Sequence, residues 1–420
     1  MFRRLSVLGL FVALACSALV AAPIPKGPGA AGDWPQFRGP NRDGVSTETG
    51  LLAEWPKDGP EKLWTVKNLG LGFGTPSVGG GKIFGLGTRD GKDGVWALTE
   101  ADGKELWFTP FDTPRRTNQN NGPSGTPTID GGKAYAMSSL GKVVCLDVAT
   151  GKTDWQVDLV KEYGGRVPSW GFCESPLIDG DRVIVTPGGK NTLVALEKAS
   201  GKLVWKAAVP KADGAHYSSV IAVETGGLKQ YVQFVSGGVV SVAAADGKFL
   251  WRYDRPANGT ANCSTPLFSG DSVFAASAYG TGGGLAKVTK DGDQFEATQV
   301  YFDKQMQNHH GGLVLVDGFI YGTGSSSLRC VNFKTGDVAW EARQPGKGSV
   351  TYADGRLYCR NERSGDVFLV EANPKEYIEK GRFKQPERSR QSAWAYPVVA
   401  NGRLYLRDQD VLIAYDVKKK

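Results

Sequence analysis

Histidine is scarce in this chain, with three in 420 residues, and cysteine is nearly so, with six. One cysteine falls in the first 22 residues, and the five beyond them include no adjacent pair and no C-x-x-C. An exported protein is permitted disulfides, but nothing here demands a disulfide framework. The net charge of +7 is not gathered into a Lys/Arg stripe, and two of the positive charges, Arg3 and Arg4, lie at the extreme N-terminus. That excludes nucleic acid as the expected partner. No apolar run is long enough for a stable membrane span. Nor do a nucleophile, a base and an orienting group follow one another in a readable order.

What is abundant is glycine, at 57 residues, and aromatics, at 10 % of the chain. Many glycines between short apolar runs suit an all-β protein with frequent tight turns. The opening "MFRRLSVLGLFVALACSALVAA" has the basic start, apolar stretch and small residues of an export signal. Cleavage near Ala21 gives a soluble protein, and cleavage before Cys16 gives one anchored by lipid. Residues 1–22 are therefore read as a signal peptide and 23–59 as a tether and capping segment. Residues 60–417 form the repeat body, and 418–420 are a basic tail.

The repeat body is written in a phrase that recurs: "VWALTEADGKELW", "VVCLDVATGKTDW", "LVALEKASGKLVW", "VVSVAAADGKFLW" and "LRCVNFKTGDVAW". The tryptophans, Trp107, Trp155, Trp205, Trp251 and Trp340, are evenly spaced except that the last interval is double. The long interval holds a degenerate unit in which "VTKDGDQF" sets Phe295 at the tryptophan position. Each unit opens with a second signature such as "TPSVGGGKIFG" or "TPLFSGDSVFA", and eight such openings are present. Asp-Gly, Asn-Gly and Gly-Gly turns supply the positive φ of tight hairpins. Four antiparallel strands in about 45 residues make one propeller blade. The expectation is an all-β, eight-bladed β-propeller of four-stranded antiparallel blades.

The last unit, "DVLIAYDVKKK", stops before its tryptophan strand. Near the other end "GPEKLWTVKNL" holds Trp64 in a tryptophan strand that has no unit of its own. The ring closes if this N-terminal strand completes the C-terminal blade, leaving no open terminal blade. Cys145 and Cys330 fall where other units carry Ala97, Ala195 and Ser241, as small fillers between blades.

The phrase "[VL]-x-[AC]-L-[DE]-x-x-[ST]-G-[KD]-x-x-W" resembles the repeat of the pyrroloquinoline-quinone-like propellers, over roughly residues 60 to 417. That family holds quinoprotein dehydrogenases and non-enzymatic scaffolds of outer-membrane barrel assembly. "DWPQFRGPNRDGVS" is similar to the N-terminal segment of many exported propellers of this kind, with Trp34 and Phe37 expected to pack on the ring. The dehydrogenases are longer and carry an adjacent Cys-Cys pair, a calcium site and an Asp base, none of which can be matched here. The resemblance therefore implies the scaffold branch. The expected protein is an exported, periplasmic or outer-membrane-associated monomer. It has no cofactor, its partner is an envelope protein or peptide, and it touches membrane only through an anchor at Cys16. The alternative is a quinone- or metal-dependent oxidoreductase using PQQ with calcium.

Loops that precede the innermost strands open on one face of a propeller, where function commonly sits. In order they read "LGFG", "NGPSG", "SWGFCE", "GAHYS", "ANCS", "QNHHGG", "GKGS" and "SAWA". All three histidines lie in this register. The candidate ligand site at the funnel mouth is Phe73, Trp170, Phe172, Glu174, His216, Tyr217, Asn262, His309, His310 and Trp394. A metal reading would draw on His216, His309, Cys173 or Cys263, since imidazole and thiolate suit zinc or copper. His309 and His310 are expected to face opposite ways, as neighbours on an extended chain do. A recognition loop for acidic or backbone partners is expected at Arg115, Arg116, Asn118 and Asn120.

Overall fold

Short strands separated by glycine turns arrange themselves as a ring in the computed structural model, which describes residues 32–115, 122–211 and 213–420. Eight four-stranded antiparallel sheets are present among them. Seven follow chain order, at residues 77–112, 128–158, 177–207, 221–253, 267–303, 313–342 and 348–383. In the eighth blade, Val398–Ala400, Arg403–Asp408 and Val411–Asp416 are completed by the N-terminal strand Glu61–Val66. Trp64 stands opposite Ala414 in that pairing. The closure read from the sequence is the one observed.

Middle strands are buried on both faces because each blade packs against two neighbours. Val183, Ile184, Val194 and Leu196 are all fully buried. Outer strands alternate instead, so in Leu203–Ala207 only Trp205 and Ala207 turn inward. The core is accordingly divided into clusters at the seams, such as Tyr135, Cys145 and Trp155 with Val183 and Val194. Cys145 and Cys330 are buried there, opposite Trp155 and Trp340.

The Gly-Lys-x-x-Trp phrase describes two blades at once. The indole Nε1 of Trp107 donates to Val148 O (3.3 Å), that of Trp155 to Lys198 O (3.0 Å), and that of Trp205 to Ala244 O (3.2 Å). Each acceptor belongs to the following blade. Beneath Trp107 lies Gly151 of that blade at φ +72°, where a Cβ would stand 2.6 Å from the ring. Glycine is therefore required twice over, for the left-handed turn and for the room. Trp251 departs from the pattern and donates to Gln230 Oε1 in its own blade (2.8 Å).

Two blades depart from the repeat. In the degenerate fifth blade the tryptophan position is held by Tyr301, opposite Leu285, and not by Phe295. Tyr301 Oη donates to Phe333 O of the next blade (2.9 Å), as the indoles do, over Gly336. Phe295 lies six residues too early because this blade's last two strands are ten residues each, and the extended hairpin hides the register. The seventh blade has no aromatic at its equivalent, Gly381 opposite Leu369. Trp55 of the N-terminal segment fills the gap, edge-on to Tyr358 and Phe383 at 5.8 and 5.3 Å.

The same segment closes the central channel. Trp34 exchanges both backbone hydrogen bonds with Val78, and Ser46 donates to Val399 O (2.8 Å). Between them, Arg42 donates to Ser175 O (2.7 Å) and Pro176 O (3.2 Å), while Arg38 reaches Leu313 O. The two guanidiniums thus tie the N-terminal segment to the loop entering the third blade and to the first strand of the sixth. They satisfy carbonyl groups that an empty channel would leave to water.

Candidate functional site

Above that plug the loops of one face enclose a cleft of about 280 Å³. Its floor is Phe37 of the N-terminal segment, edge-on to Tyr396 at 5.6 Å. Phe73 packs on Trp394 at 4.7 Å along one wall, and Trp170 meets Tyr217 at 5.5 Å along another. Cys173, Cys263, Tyr279, His309 and His310 are also among the lining residues. Such a hollow, apolar with a few convergent polar groups, is the usual form of a small-ligand site.

Of the residues expected at the mouth, Phe73, Trp170, Tyr217, His309, His310 and Trp394 line this cleft. His216 lies behind it, stacked on Tyr217 at 5.3 Å, with Nδ1 accepting from Asn262 N (3.2 Å). Three others are withdrawn from the surface. Phe172, 2 % exposed, packs under Gly141 in the seam core. Asn262 is fully buried, with Nδ2 donating to Val235 O (2.9 Å) and Ser236 O (3.2 Å), and it shapes the loop that presents Cys263. Glu174 turns into the seam between the third and fourth blades, where Thr186 N (2.8 Å), Thr186 Oγ1 (2.9 Å) and Gln233 Nε2 (3.2 Å) donate to it. Burial raises its carboxyl to about 7, against the opposing pull of Arg42. In all three the residue alternates inward on its loop, which the loop register alone does not show.

Arg115 borders the site through its backbone, donating to Ser139 Oγ (3.2 Å). Arg116, Asn118 and Asn120 of the expected recognition loop lie outside the described residues, as does Cys16.

The histidine pair overturns a second expectation. Residues 306–312 are irregular and not extended, so the rings of His309 and His310 lie side by side, 3.6 Å apart. His309 is held at both nitrogens, by Tyr279 Oη at Nε2 (2.9 Å) and Lys347 Nζ at Nδ1 (2.8 Å). Because an ammonium only donates, Nδ1 is the acceptor and Nε2 carries the proton. Burial, with His310 and Lys347 beside it, lowers His309 to about 3, so the ring is neutral. Lys347 also pairs with Glu362 at 2.8 Å.

Tyr279, Lys347 and Glu362 were not singled out by the sequence. The signal for two of them was available. In an antiparallel blade the turn between second and third strands returns to the same face as the loop before the first. Tyr279 and Glu362 sit in such turns.

The quinone and calcium implied by the resemblance can be tested on the donor set. Calcium takes six to eight oxygen ligands, carboxylates foremost, yet no Asp or Glu is among the residues lining the cleft. The cleft thiols come from different blades and are free, so they form no adjacent pair. Burial raises Cys173 to about 11 and raises Cys263 as well, leaving neither as a ready thiolate. The described residues do not fit a calcium-quinone centre.

A family model described as outer membrane protein assembly factor BamB matches residues 41–167 and again 119–342. The chain belongs to that family of pyrroloquinoline-quinone-like propellers. It is 25 % identical to the outer membrane protein assembly factor BamB of Burkholderia pseudomallei over 247 residues, 56 % of this chain and 58 % of the relative. It is 29 % identical to the dehydrogenase subunit of a quinone alcohol dehydrogenase of Gluconobacter oxydans over 203 residues, 43 % of this chain and 24 % of the relative. The matched stretches thus span between a quarter and three-fifths of these curated relatives. Among solved structures, the quinohemoprotein alcohol dehydrogenase of Comamonas testosteroni superposes with a TM-score of 0.65 at 12 % identity, covering 93 % of this chain and 81 % of its own. That likeness speaks for the ring and not for its chemistry.

Proposed function

We propose that this propeller is an exported binding scaffold of the cell envelope, and that it holds an extended peptide or a segment of an envelope protein in the aromatic cleft. The observation that carries the reading is the cleft itself, with facing aromatic pairs over a floor supplied by the plugged channel. A volume of about 280 Å³ suits one or two large side chains of a bound segment. Rigid loops already in place bind without the ordering cost of a mobile site. The assembly factors among its relatives support the envelope setting, and the leader at residues 1–22 supports export. In this reading the protein is a monomer, and any lipid anchor is at Cys16.

The rival is a quinone-dependent oxidoreductase, favoured by the Gluconobacter match. The two are separated by one set of measurements on the purified protein. Screening against extended peptides should yield binders that Trp170→Ala or Trp394→Ala weakens by roughly 2 kcal/mol, about thirty-fold. Tight quinone binding with calcium-dependent dye reduction on an alcohol would overturn the scaffold reading.

A further inference from the structure

Three ligand-bearing groups converge on one wall of the cleft: Cys263 from the loop entering the fifth blade, and His309 and His310 from the loop entering the sixth. Their ligand atoms lie within 4.8 Å of one another. The groups around them hold the cluster in place. Tyr396 Oη donates to His310 O (2.6 Å), and Trp394 packs on the His310 ring at 4.2 Å. His310 Nδ1 is buried without a hydrogen bond, 3.8 Å from Glu362 Oε2. An orphaned buried nitrogen is costly. A metal-bound histidine characteristically turns its second nitrogen to a carboxylate, and Glu362 occupies that position.

We propose that Cys263, His309 and His310 bind one zinc or cuprous ion at the mouth of the propeller. A thiolate with two imidazoles selects these ions over calcium or magnesium. Tetrahedral ligands ~2.0–2.3 Å from an ion stand about 3.5 Å apart, so loading draws the three groups together by roughly 1 Å. Cys263 loses its thiol proton to solvent as the ion binds, one proton per ion. His309 binds through Nε2, displacing the exposed hydroxyl of Tyr279; its proton moves to Nδ1, and Lys347 remains with Glu362 alone. Three protein ligands leave a fourth position, and because all three line the cleft it opens onto the space assigned above to the bound segment. A partner side chain with a sulfur, imidazole or carboxylate donor would complete the sphere. The inference shares the location of the scaffold reading but is measured without any peptide.

The test is titration of the metal-free mature protein with zinc against a chelating dye, and with cobalt while following the thiolate-to-cobalt band in the near ultraviolet. One ion per chain is expected. Cys263→Ser should abolish the band, and His310→Ala should weaken zinc binding at least tenfold. Cys173→Ser, the other thiol of the cleft but outside the cluster, should bind as the unaltered protein does. Lys347→Met should bind more tightly, since the ammonium competes for His309. Melting curves of the metal-free variants verify folding. Zinc binding no tighter than in Cys263→Ser, or a band that survives Cys263→Ser and vanishes in a Cys173→Ser variant, overturns the proposal. Either result leaves the peptide measurements to decide the scaffold reading independently.

Discussion

In the seams, Trp107, Trp155, Trp205 and Trp340 each cover the next blade and donate an indole hydrogen to one of its carbonyls. At the mouth, Trp170 and Trp394 are half-buried and line the cleft, the one meeting Tyr217 and the other Phe73 and His310. Cysteine divides the same way. Cys145 and Cys330 are fillers between blades, whereas Cys173 and Cys263 line the cleft. Where a residue type recurs in register, its place is set by the neighbouring blade. Outside the register, placement decides: Trp55 and Cys359 are buried in the core of the seventh blade, whereas the residues on the loops of the mouth have no repeated partner and are available to a ligand.

Breaking the ring's closure should have the largest effect. A mature chain beginning at Leu71 lacks the fourth strand of the eighth blade, Trp55 of the seventh seam, and both channel arginines. It should lose the cooperative thermal transition of the intact protein. A truncated protein that melted like the intact one would refute the closure account.

Within the seams, Trp155→Ala should cost about 3–5 kcal/mol in chemical denaturation. Trp394→Ala at the mouth should cost roughly 1 kcal/mol or less, because little of the core rests on it. Equal costs would erase the distinction between the two regions.

A smaller and pH-dependent effect belongs to Glu174, which lies between the regions. Burial holds its carboxyl near 7 when folded, against 4.5 for a free glutamate. Between those values the unfolded chain has lost a proton that the folded chain keeps, so stability falls as pH rises. The change is on the order of 3 kcal/mol, complete above about pH 7. Glu174→Gln should flatten that slope in denaturation curves at a series of pH values. An unchanged slope would assign the pH dependence elsewhere.

The ring was legible because its signals repeat. One glycine and one tryptophan, seen five times at one spacing, reveal a blade, and the orphan phrase around Trp64 reveals its closure. Legibility failed where the repeat failed. The tryptophan position of the fifth blade reads as Phe295 and is held by Tyr301 because an extended hairpin displaces the register, and Trp55 gives no sign that it replaces a missing aromatic. The face of the site was readable from loop order, but side-chain direction within irregular loops was not. Phe172, Glu174 and Asn262 turned inward, and His309 and His310 came together, through backbone bends that no periodicity encodes.

The central claim is that the aromatics lining the mouth, and not the rim of the ring, make contact with the partner. A photo-crosslinking residue placed in cells at Trp170, at Trp394, and at Leu203, an exposed outer-strand position, tests it most directly. The account predicts a discrete adduct with an envelope protein from the first two positions and none from the third. An adduct from Leu203 alone would contradict it.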